Sequence, residues 1–250
     1  ELEWSQALSC VQIEEQERIG RFRFEDDRKR ALAGRLLLRK VTAEVLGLKS
    51  PCELKFERSD KGKPVLKVPS ADQLGVNVSH HGNWVVAVAH RCRPVGVDVM
   101  KYDPPRGGAD SQSLESYFTL MQRSFTPAEW DYIKAGDGPL GMVHLKRFYR
   151  AWSLKESYVK AIGEGVGFGL QRASFHVAQN GPGPAQLELD GELDTTYTFS
   201  VQELDDVHCV AIALGPRLPG TPSDEKDELP FEWTILQAPL HAPRKENLSQ

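Results

Sequence analysis

Cysteine is scarce in this sequence, and its placement excludes two kinds of small, cross-linked fold. Four cysteines occur among 250 residues, at positions 10, 52, 92 and 209, and no two of them form a C-x-x-C pair. Such scattered cysteines argue against a zinc cluster and against a disulfide scaffold, and they fit a reducing compartment. We therefore expect a cytoplasmic protein.

Long apolar runs and an excess of positive charge are also missing. No stretch approaches the roughly 20 apolar residues of a membrane-spanning helix, and residues 1–4 show neither the basic nor the apolar region of a signal peptide. The net charge is −4 and the isoelectric point is near 6.0, whereas a dedicated nucleic-acid-binding protein is usually basic. We expect neither a membrane nor a nucleic acid among the partners.

Several catalytic signatures are absent as well. The sequence holds no G-x-x-x-x-G-K-[ST] phosphate loop, no G-x-S-x-G nucleophile elbow and no H-E-x-x-H zinc motif. The glycines at 163, 165, 167 and 169 do not form a G-x-G-x-x-G motif, because Phe168 occupies its last place. These absences leave the corresponding nucleotide-binding, hydrolase and metallopeptidase classes without support.

A chain of 250 residues is long enough for one or two domains with a buried core. Apolar periodicity and capping residues predict long helices at 25–46 and 145–162, and a further helix that begins at Thr126. The strand at 95–100 is expected to pair antiparallel with the strand at 84–89. The full set of predicted strands is 53–58, 65–68, 84–89, 95–100, 187–189, 197–201 and 207–214.

A faint internal repeat predicts two similar halves. The apolar tetrapeptide at 86–89 recurs at 210–213, and the helical pattern at 33–43 recurs at 151–161. Unless the repeat arises by chance from common small apolar runs, it implies an α+β fold of two similar halves with a site between them. The predicted halves are residues 1–94 and 95–215, followed by a flexible tail at 216–250 that holds six of the sixteen prolines.

Two acidic residues lie in apolar surroundings. Asp98 interrupts a valine-rich strand, so it needs a metal, a cation or backbone donors as a partner, unless it caps a turn. On a helical wheel Glu156 falls at the edge of the apolar stripe, with Lys160 one turn further along; a surface ion pair between these two is the alternative. Together Asp98 and Glu156 would supply the oxygen ligands that Mg²⁺ takes from proteins.

Three polar stretches are candidates for binding an anion. Residues 18–40 contain nine Arg or Lys and three acidic residues, which suits a phosphate ester, although a solvated helix face or an RNA-binding scaffold is the alternative. Residues 58–64 combine basic side chains with a glycine, and residues 77–82 combine donors with two histidines. A polar hairpin tip and a structural histidine are the alternatives for these two stretches.

Taken together and in this order, the motifs resemble the 4′-phosphopantetheinyl transferase superfamily, in its larger two-lobed type. The strongest carriers are Gly96-Val97-Asp98 and the stretch WSLKESYVKA at 152–161, with 58 positions between Asp98 and Glu156. Other stretches are similar to animal-type members, and the resemblance runs from about residue 4 to residue 214. These other stretches are residues 17–20, 33–36, 61–66, 77–80 and 165–168.

The resemblance implies a Mg²⁺-dependent transferase. Its fold would be a pseudo-two-fold pair of α+β halves, with the active site in the cleft between them. Its reaction would move 4′-phosphopantetheine from coenzyme A to a serine of an acyl or peptidyl carrier domain and release adenosine 3′,5′-bisphosphate. The implied partners are carrier domains such as that of fatty acid synthase, and the implied setting is fatty acid synthesis and lysine catabolism by a cytosolic monomer. A catalytically degenerate module that binds coenzyme A or a nucleotide is the alternative.

The resemblance also assigns roles to individual residues. Asp98 and Glu156 would hold Mg²⁺ on the pyrophosphate, Glu156 would also take the serine proton, and Lys160 would offset charge on the departing phosphate. The residues assigned to coenzyme A binding are Arg18, Arg58, Ser59, Asp60, Lys61, Gly62, Lys63, Asn77, Val78, Ser79, His80, Glu156, Ser157, Tyr158, Val159 and Lys160.

Two departures from the superfamily pattern bear on these roles. Bacterial members often have a second acid where this sequence has Met100, on the same strand face as Asp98. Water or a neighbouring polar side chain, such as His81, would then complete the coordination. Members also normally begin with further residues that include a first strand, and without that strand the first half would expose a sheet edge.

Overall fold

The computed structural model describes residues 2–68, 73–178 and 183–220. Over these ranges, the N-terminal half contains helices followed by two β-hairpins. Its elements are α1 (Leu2–Ser9), α2 (Ile13–Arg21), α3 (Glu25–Leu46), β1 (Lys55–Arg58), β2 (Pro64–Val68), β3 (Leu74–His81) and β4 (Trp84–Arg91).

The C-terminal half begins with one strand, continues with helices and ends with a run of strands. This mixture of helices and separate antiparallel ladders confirms the predicted α+β class. The elements are β5 (Val95–Lys101), α4 (Ser111–Leu120), α5 (Pro127–Lys134), α6 (Met142–Ile162), β6 (Ala173–Val177), β7 (Gly183–Leu189), β8 (Glu192–Asp205) and β9 (His208–Leu214).

The strand pairs of the described residues are all antiparallel. β1 pairs with β2 and β3 pairs with β4, each as a two-stranded ladder. The other strands form one sheet in the order β5-β9-β8-β7-β6, in which Asp98 lies opposite Ala211. β5 is therefore an edge strand of this sheet, and its free edge lies beside β3 of the other half.

A long helix covers the strands in each half. α3 packs on β3 and β4, and α6 packs on β5 and β9. In both halves the long helix precedes four strands, and the two copies of the apolar tetrapeptide lie in β4 and β9. The domain boundaries at 94 and 215 stay predictions.

The main core lies between α6 and the five-stranded sheet. Aromatic rings dominate it, with Phe118, Phe148, Phe175 and Phe199 almost completely buried. A second cluster consists mainly of valines from β4, β5 and β9, and it joins the two halves. Because apolar burial is the main favourable term in folding, this cluster holds the edge strand β5 against the N-terminal half.

The helix ends follow the sequence signals. Gly47 and Gly163 adopt φ angles of +68° and +75° at the C-terminal ends of α3 and α6. Thr126 and Glu129 form the predicted capping box at the start of α5. α6 begins three residues before the predicted start, because the ring of His144 accepts the N–H of Gly141 and caps an additional turn.

Two strand predictions need correction. The expected pairing of 84–89 with 95–100 is wrong, because β5 pairs with β9 and β4 pairs with β3. Residues 74–81 were not predicted to be a strand, yet they form β3, which pairs with β4 along its whole length. α1, α2, α4 and β6 also lacked a clear signal, and β7 and β8 are longer than predicted.

Only the beginning of the predicted tail belongs to the described residues. Over 216–220 the chain leaves β9 and runs back toward β4, where Leu218 N donates to Cys92 O at 2.7 Å. Residues 221–250 lie outside the described residues. None of the helices in the described ranges is long and apolar enough to cross a membrane.

Candidate active site

Asp98 lies on β5 with one carboxylate oxygen satisfied and the other without a partner. The residue is only 4% exposed. Oδ1 accepts hydrogen bonds from Ser79 Oγ at 2.9 Å and from Lys160 Nζ at 2.5 Å. Oδ2 is buried and has no hydrogen-bond partner within the described part of the chain. Because a buried carboxylate oxygen without a partner is costly, Oδ2 is a candidate ligand for a cation.

Glu156 and Lys160 lie one turn apart on α6, beside Asp98. Both are half-buried, whereas their neighbours Lys155 and Ser157 are fully buried. Burial raises the pKa of the Glu156 carboxyl, the negative charge of Asp98 adds to that rise, and the Lys160 ammonium opposes it. The structure thus brings together the three residues that were predicted to be catalytic.

β3 and β5 lie side by side, and side-chain hydrogen bonds join them. Asn77 Oδ1, Ser79 Oγ and His81 Nδ1 each accept a backbone N–H of β5, and we call this contact the β3–β5 seam. Asn77 and Ser79 were predicted to bind coenzyme A, but their side-chain oxygens are engaged within the protein. The donors are the N–H groups of Val97, Val99 and Lys101, at 3.1, 3.4 and 2.9 Å.

Val78 and His80 alternate with these residues along β3. A Cβ added at Gly34 of α3 would lie 3.4 Å from a Val78 methyl, so Val78 packs against that helix. Burial lowers the pKa of His80, and the positive charges of Arg30 and Lys160 lower it further. The His80 ring therefore experiences positive charge from both α3 and α6.

The β1–β2 turn, residues 58–63, docks on the C-terminal end of α6. Lys63 Nζ donates to the carbonyl oxygens of Lys160 at 2.8 Å and Ala161 at 3.0 Å. Gly62 adopts a φ of +80°, a conformation that favours glycine. The turn is thereby held next to Lys160. Its other predicted coenzyme ligands, Ser59, Asp60 and Lys61, are exposed.

A cluster of arginines surrounds Glu15. The Glu15 carboxylate accepts Arg58 Nη2 at 3.2 and 3.3 Å and lies 3.9 Å from Arg35 Nη1, which is buried without a hydrogen-bond partner among the described residues. Burial lowers the pKa of Arg35 to about 10; Glu15 opposes this, whereas Arg58 and the exposed Arg18 add to it. The cluster therefore has more positive than negative charge, as a phosphate site requires. Sequence reasoning missed Arg35, although it lies in the basic stretch 18–40.

Three other predicted coenzyme ligands are buried in the protein. Ser157 Oγ donates to Leu154 O at 2.8 Å, within α6. Tyr158 packs edge-on against Phe168, with ring centroids 5.5 Å apart, and Val159 belongs to the same core. The structure does not bring the side chains of Ser157, Tyr158 and Val159 to the acidic site.

Lys155, which directly precedes Glu156, has a structural role. Its fully buried ammonium lies 2.8 Å from Glu129 Oε2 and donates to the carbonyl oxygens of Leu170 and Ala173. These contacts tie α6 to α5 and to the chain that leads into β6. They oppose rotation of α6 about its axis, and so they help to keep Glu156 beside β5.

The residues present fit a divalent cation of the Mg²⁺ type. Mg²⁺ usually takes one or two protein carboxylates and fills its other positions with water and substrate phosphates; Asp98 Oδ2 and Glu156 supply two. No group of three or more His, Cys, Asp or Glu that could hold a metal occurs in the described ranges. His81 does not complete a set, because its Nδ1 accepts the N–H of Lys101 and its Nε2 lies 3.6 Å from Asp103.

Comparisons with known proteins identify the family. The family described as "4′-phosphopantetheinyl transferase, N-terminal" matches residues 1–92, and the "4′-phosphopantetheinyl transferase superfamily" matches residues 94–213. The chain is 52% identical over 206 residues to a phosphopantetheinyl transferase of Thraustochytrium sp.. The aligned region covers 82% of this chain and 70% of that protein.

Two further relatives are an animal and a bacterial protein. The L-aminoadipate-semialdehyde dehydrogenase-phosphopantetheinyl transferase of Xenopus laevis is 44% identical over 228 residues, and the aligned region covers 85% of this chain and 71% of the Xenopus protein. The 4′-phosphopantetheinyl transferase of Bacillus subtilis is 30% identical over 182 residues, and the aligned region covers 73% of this chain and 72% of the Bacillus protein.

The α+β fold, the paired carboxylates with a lysine and these relatives define an enzyme of the transferase class. The chain belongs to the 4′-phosphopantetheinyl transferase superfamily. The resemblance inferred from the sequence motifs, including the similarity to animal-type members, is confirmed.

Proposed function

We propose that this protein transfers the 4′-phosphopantetheine group of coenzyme A to a serine hydroxyl of a carrier protein domain and releases adenosine 3′,5′-bisphosphate. The observation that carries the proposal is the buried Asp98, whose Oδ2 lacks a partner within the described part of the chain, beside Glu156 and Lys160. The family acts generally on coenzyme A and carrier domains. The serine target, the released product and the metal dependence are the finer parts of the proposal.

The metal part of the proposal rests on the two carboxylates. Asp98 Oδ2 and Glu156 would hold Mg²⁺, and Met100 leaves the remaining positions to water and to the coenzyme's phosphate oxygens. When bound, Mg²⁺ would neutralise negative charge on the pyrophosphate and polarise the phosphorus that is attacked.

The chain's own residues would perform the proton and charge chemistry. Glu156 would accept the proton of the serine hydroxyl as the serine oxygen forms its bond to the β-phosphorus. The bond from that phosphorus to the bridging oxygen breaks, and the electron pair stays on the departing adenosine bisphosphate. The Lys160 ammonium lies where it would offset this developing charge.

The cations of the N-terminal half would hold the nucleotide end of coenzyme A. Arg58 and Arg35 form a cluster with a surplus of positive charge, and exposed Arg18 contributes to the same field. Lys63 links this region to the end of α6, and so to Lys160. Guanidinium groups suit phosphate because they donate two parallel hydrogen bonds, so we assign the 3′-phosphate to this cluster.

We further propose that the protein works in the cytosol on carrier domains such as that of fatty acid synthase, within fatty acid synthesis and lysine catabolism. Its four cysteines are free thiols, which is compatible with a reducing compartment. Since both halves of the site come from one chain, a monomer suffices for activity.

Intact-mass analysis of an apo carrier domain, incubated with this protein, coenzyme A and Mg²⁺, tests the proposal. A gain of one phosphopantetheine is expected, and it should be lost with Glu156→Ala. Glu192→Ala is the matched control, because it removes an exposed carboxylate at the start of β8. Coenzyme A binding without any mass gain would favour the degenerate binding module, and tight salt-dependent RNA binding without transfer would favour the RNA scaffold.

A further inference from the structure

Ser79 contacts both the Asp98 carboxylate and Lys160, the other donor to that carboxylate among the described residues. Its Oγ donates to Asp98 Oδ1 at 2.9 Å, accepts Lys160 Nζ at 2.9 Å and accepts the N–H of Val99 at 3.4 Å. Lys160 Nζ in turn lies 2.5 Å from the same Asp98 Oδ1. A serine hydroxyl has one proton and two lone pairs, so these contacts use its whole capacity.

The other two side chains of the β3–β5 seam do less. Asn77 and His81 accept backbone N–H groups of β5, and their contacts join the strands without touching Asp98. Ser79 is only 7% exposed and makes the same kind of contact to β5, but it also joins the acid to the lysine. Comparing Ser79 with the other two seam residues therefore separates two roles, the joining of β3 to β5 and the orientation of the Asp98 carboxylate.

The orientation matters because the two Asp98 oxygens have different surroundings. Oδ1 is held by Ser79 and Lys160, whereas Oδ2 is buried and without a partner among the described residues. Without the Ser79 hydroxyl, Lys160 would be the one remaining donor to Oδ1 in the described part of the chain, and its ammonium is on a long side chain that is 28% exposed. The carboxylate would then be free to turn Oδ2 away from the place where a cation would meet it.

We propose that Ser79 is a positioning residue: it fixes the Asp98 carboxylate so that Oδ2 faces the cation, and it holds Lys160 away from that oxygen. The inference rests on the proposed function, because it concerns the same cation site. Partners that orient a metal-binding side chain typically change metal affinity about 10- to 100-fold when they are removed. The role differs from the direct contact with coenzyme A that the family resemblance implied for Ser79.

Four forms of the whole chain test the role: wild type, Ser79→Ala, Ser79→Thr and His81→Ala. Mn²⁺ binding in the presence of saturating coenzyme A is measured by electron paramagnetic resonance, which needs no turnover. Half-saturating Mg²⁺, kcat and the KM for coenzyme A come from the carrier mass assay, and thermal unfolding reports the stability of each form. His81→Ala is the matched control, because it removes a seam hydrogen bond that does not reach Asp98.

Ser79→Ala is expected to raise the Mn²⁺ Kd and the half-saturating Mg²⁺ about tenfold or more, and to change the KM for coenzyme A less than about twofold. Ser79→Thr keeps the hydroxyl and should stay within about threefold of wild type. His81→Ala should lower the Tm, because it removes the hydrogen bond from the Lys101 N–H and the contact with Asp103. It should leave the Mn²⁺ Kd within about twofold of wild type, because both hydrogen bonds to Asp98 Oδ1 remain.

Three results would overturn the role or its basis. Equal Mn²⁺ affinities in Ser79→Ala and His81→Ala would reduce Ser79 to a seam residue. Weaker binding of coenzyme A in the absence of metal, with unchanged Mn²⁺ affinity, would show direct contact with the coenzyme instead. A wild-type protein that neither transfers nor binds Mn²⁺ with coenzyme A would overturn the proposed function, and the role of Ser79 with it.

Discussion

Replacing Gly96 by alanine should separate the two elements that carry the active-site acids. Gly96 precedes Asp98 by two residues on β5, and it lies against α6, which carries Glu156. A Cβ added at Gly96 would lie 1.9 Å from the carbonyl oxygen of Ser157 and 2.6 Å from the backbone nitrogen of Ala161. Because both obstacles are backbone atoms, no side-chain rotation removes the clash.

The size of the effect follows from these distances. α6 has to move away from β5 by more than about 1 Å before the Ser157 oxygen reaches an ordinary contact distance. Overpacking of a core usually costs about 1–3 kcal/mol, and we expect the upper end or beyond because the obstacle cannot rotate away. Displacing catalytic groups by about 1 Å costs about 100-fold in rate, so kcat of the folded fraction should fall by about that factor.

Urea unfolding followed by circular dichroism measures the stability term, and the carrier mass assay measures kcat. Gly20→Ala is the matched control, because Gly20 lies in α2 and its added Cβ would meet no described atom within 4 Å outside the adjoining residues and backbone of its own helix. Alanine there should be neutral or stabilise the helix by up to about 1 kcal/mol. Wild-type stability and turnover in Gly96→Ala would refute the close approach of α6 to β5, and an equal loss in Gly20→Ala would show that the cost is not specific to it.

Three further predictions concern other contacts. Lys155→Met should lower the free energy of unfolding by about 3–5 kcal/mol, because the buried Glu129 carboxylate loses its ion-pair partner. In urea unfolding, the double variant with Glu129→Gln should recover part of the lost stability. An additive loss in the double variant would contradict the pairing. Trp84→Phe should raise the pKa of Asp205. Partial burial raises this pKa, but hydrogen bonds, including the one that Trp84 Nε1 donates at 2.7 Å, lower it to about 2. The depressed pKa stabilises the folded state at pH values above the ordinary pKa of 3.8, and this stabilisation is lost as the pH falls through about 2. The difference in urea midpoint between wild type and Trp84→Phe should therefore be constant near neutral pH and shrink below about pH 4. A constant difference at all pH values would exclude this linkage. Arg35→Met should raise the KM for coenzyme A about tenfold and leave the KM for 3′-dephospho-coenzyme A nearly unchanged, as measured by steady-state assays with both substrates. Equal increases in the two KM values would exclude Arg35 from the phosphate site.

Local signals between residues a few positions apart are sufficient to determine several elements of the fold. The long helix α3 has the predicted bounds, and Gly47 ends it in a left-handed conformation. The capping box at Thr126 depends on residues three positions apart, so it can be read directly from the sequence. Helical periodicity likewise placed Glu156 and Lys160 one turn apart at the edge of the buried stripe, and the structure keeps them half-buried there.

The strand partners and the surroundings of Asp98 could not be derived in the same way. The pairing of β5 with β9 joins segments more than a hundred positions apart, and a period-two pattern carries no information on which partner a strand takes. β3 was missed because Asn77 and Ser79 are poor strand formers, yet their side chains gain hydrogen bonds to β5 that only the tertiary structure offers.

The sequence by itself determined that Asp98 needs a partner, because an acid in a valine-rich strand is costly to bury. It also determined the chemical types of the site: two carboxylates, a lysine and a basic stretch. Only the tertiary structure decided which atoms meet, since Ser79 and Lys160 reach Asp98 from 19 and 62 positions away. The physical reason is that chain propensities act over a few residues, whereas hydrogen bonds and ion pairs form between whichever groups packing brings within about 3 Å.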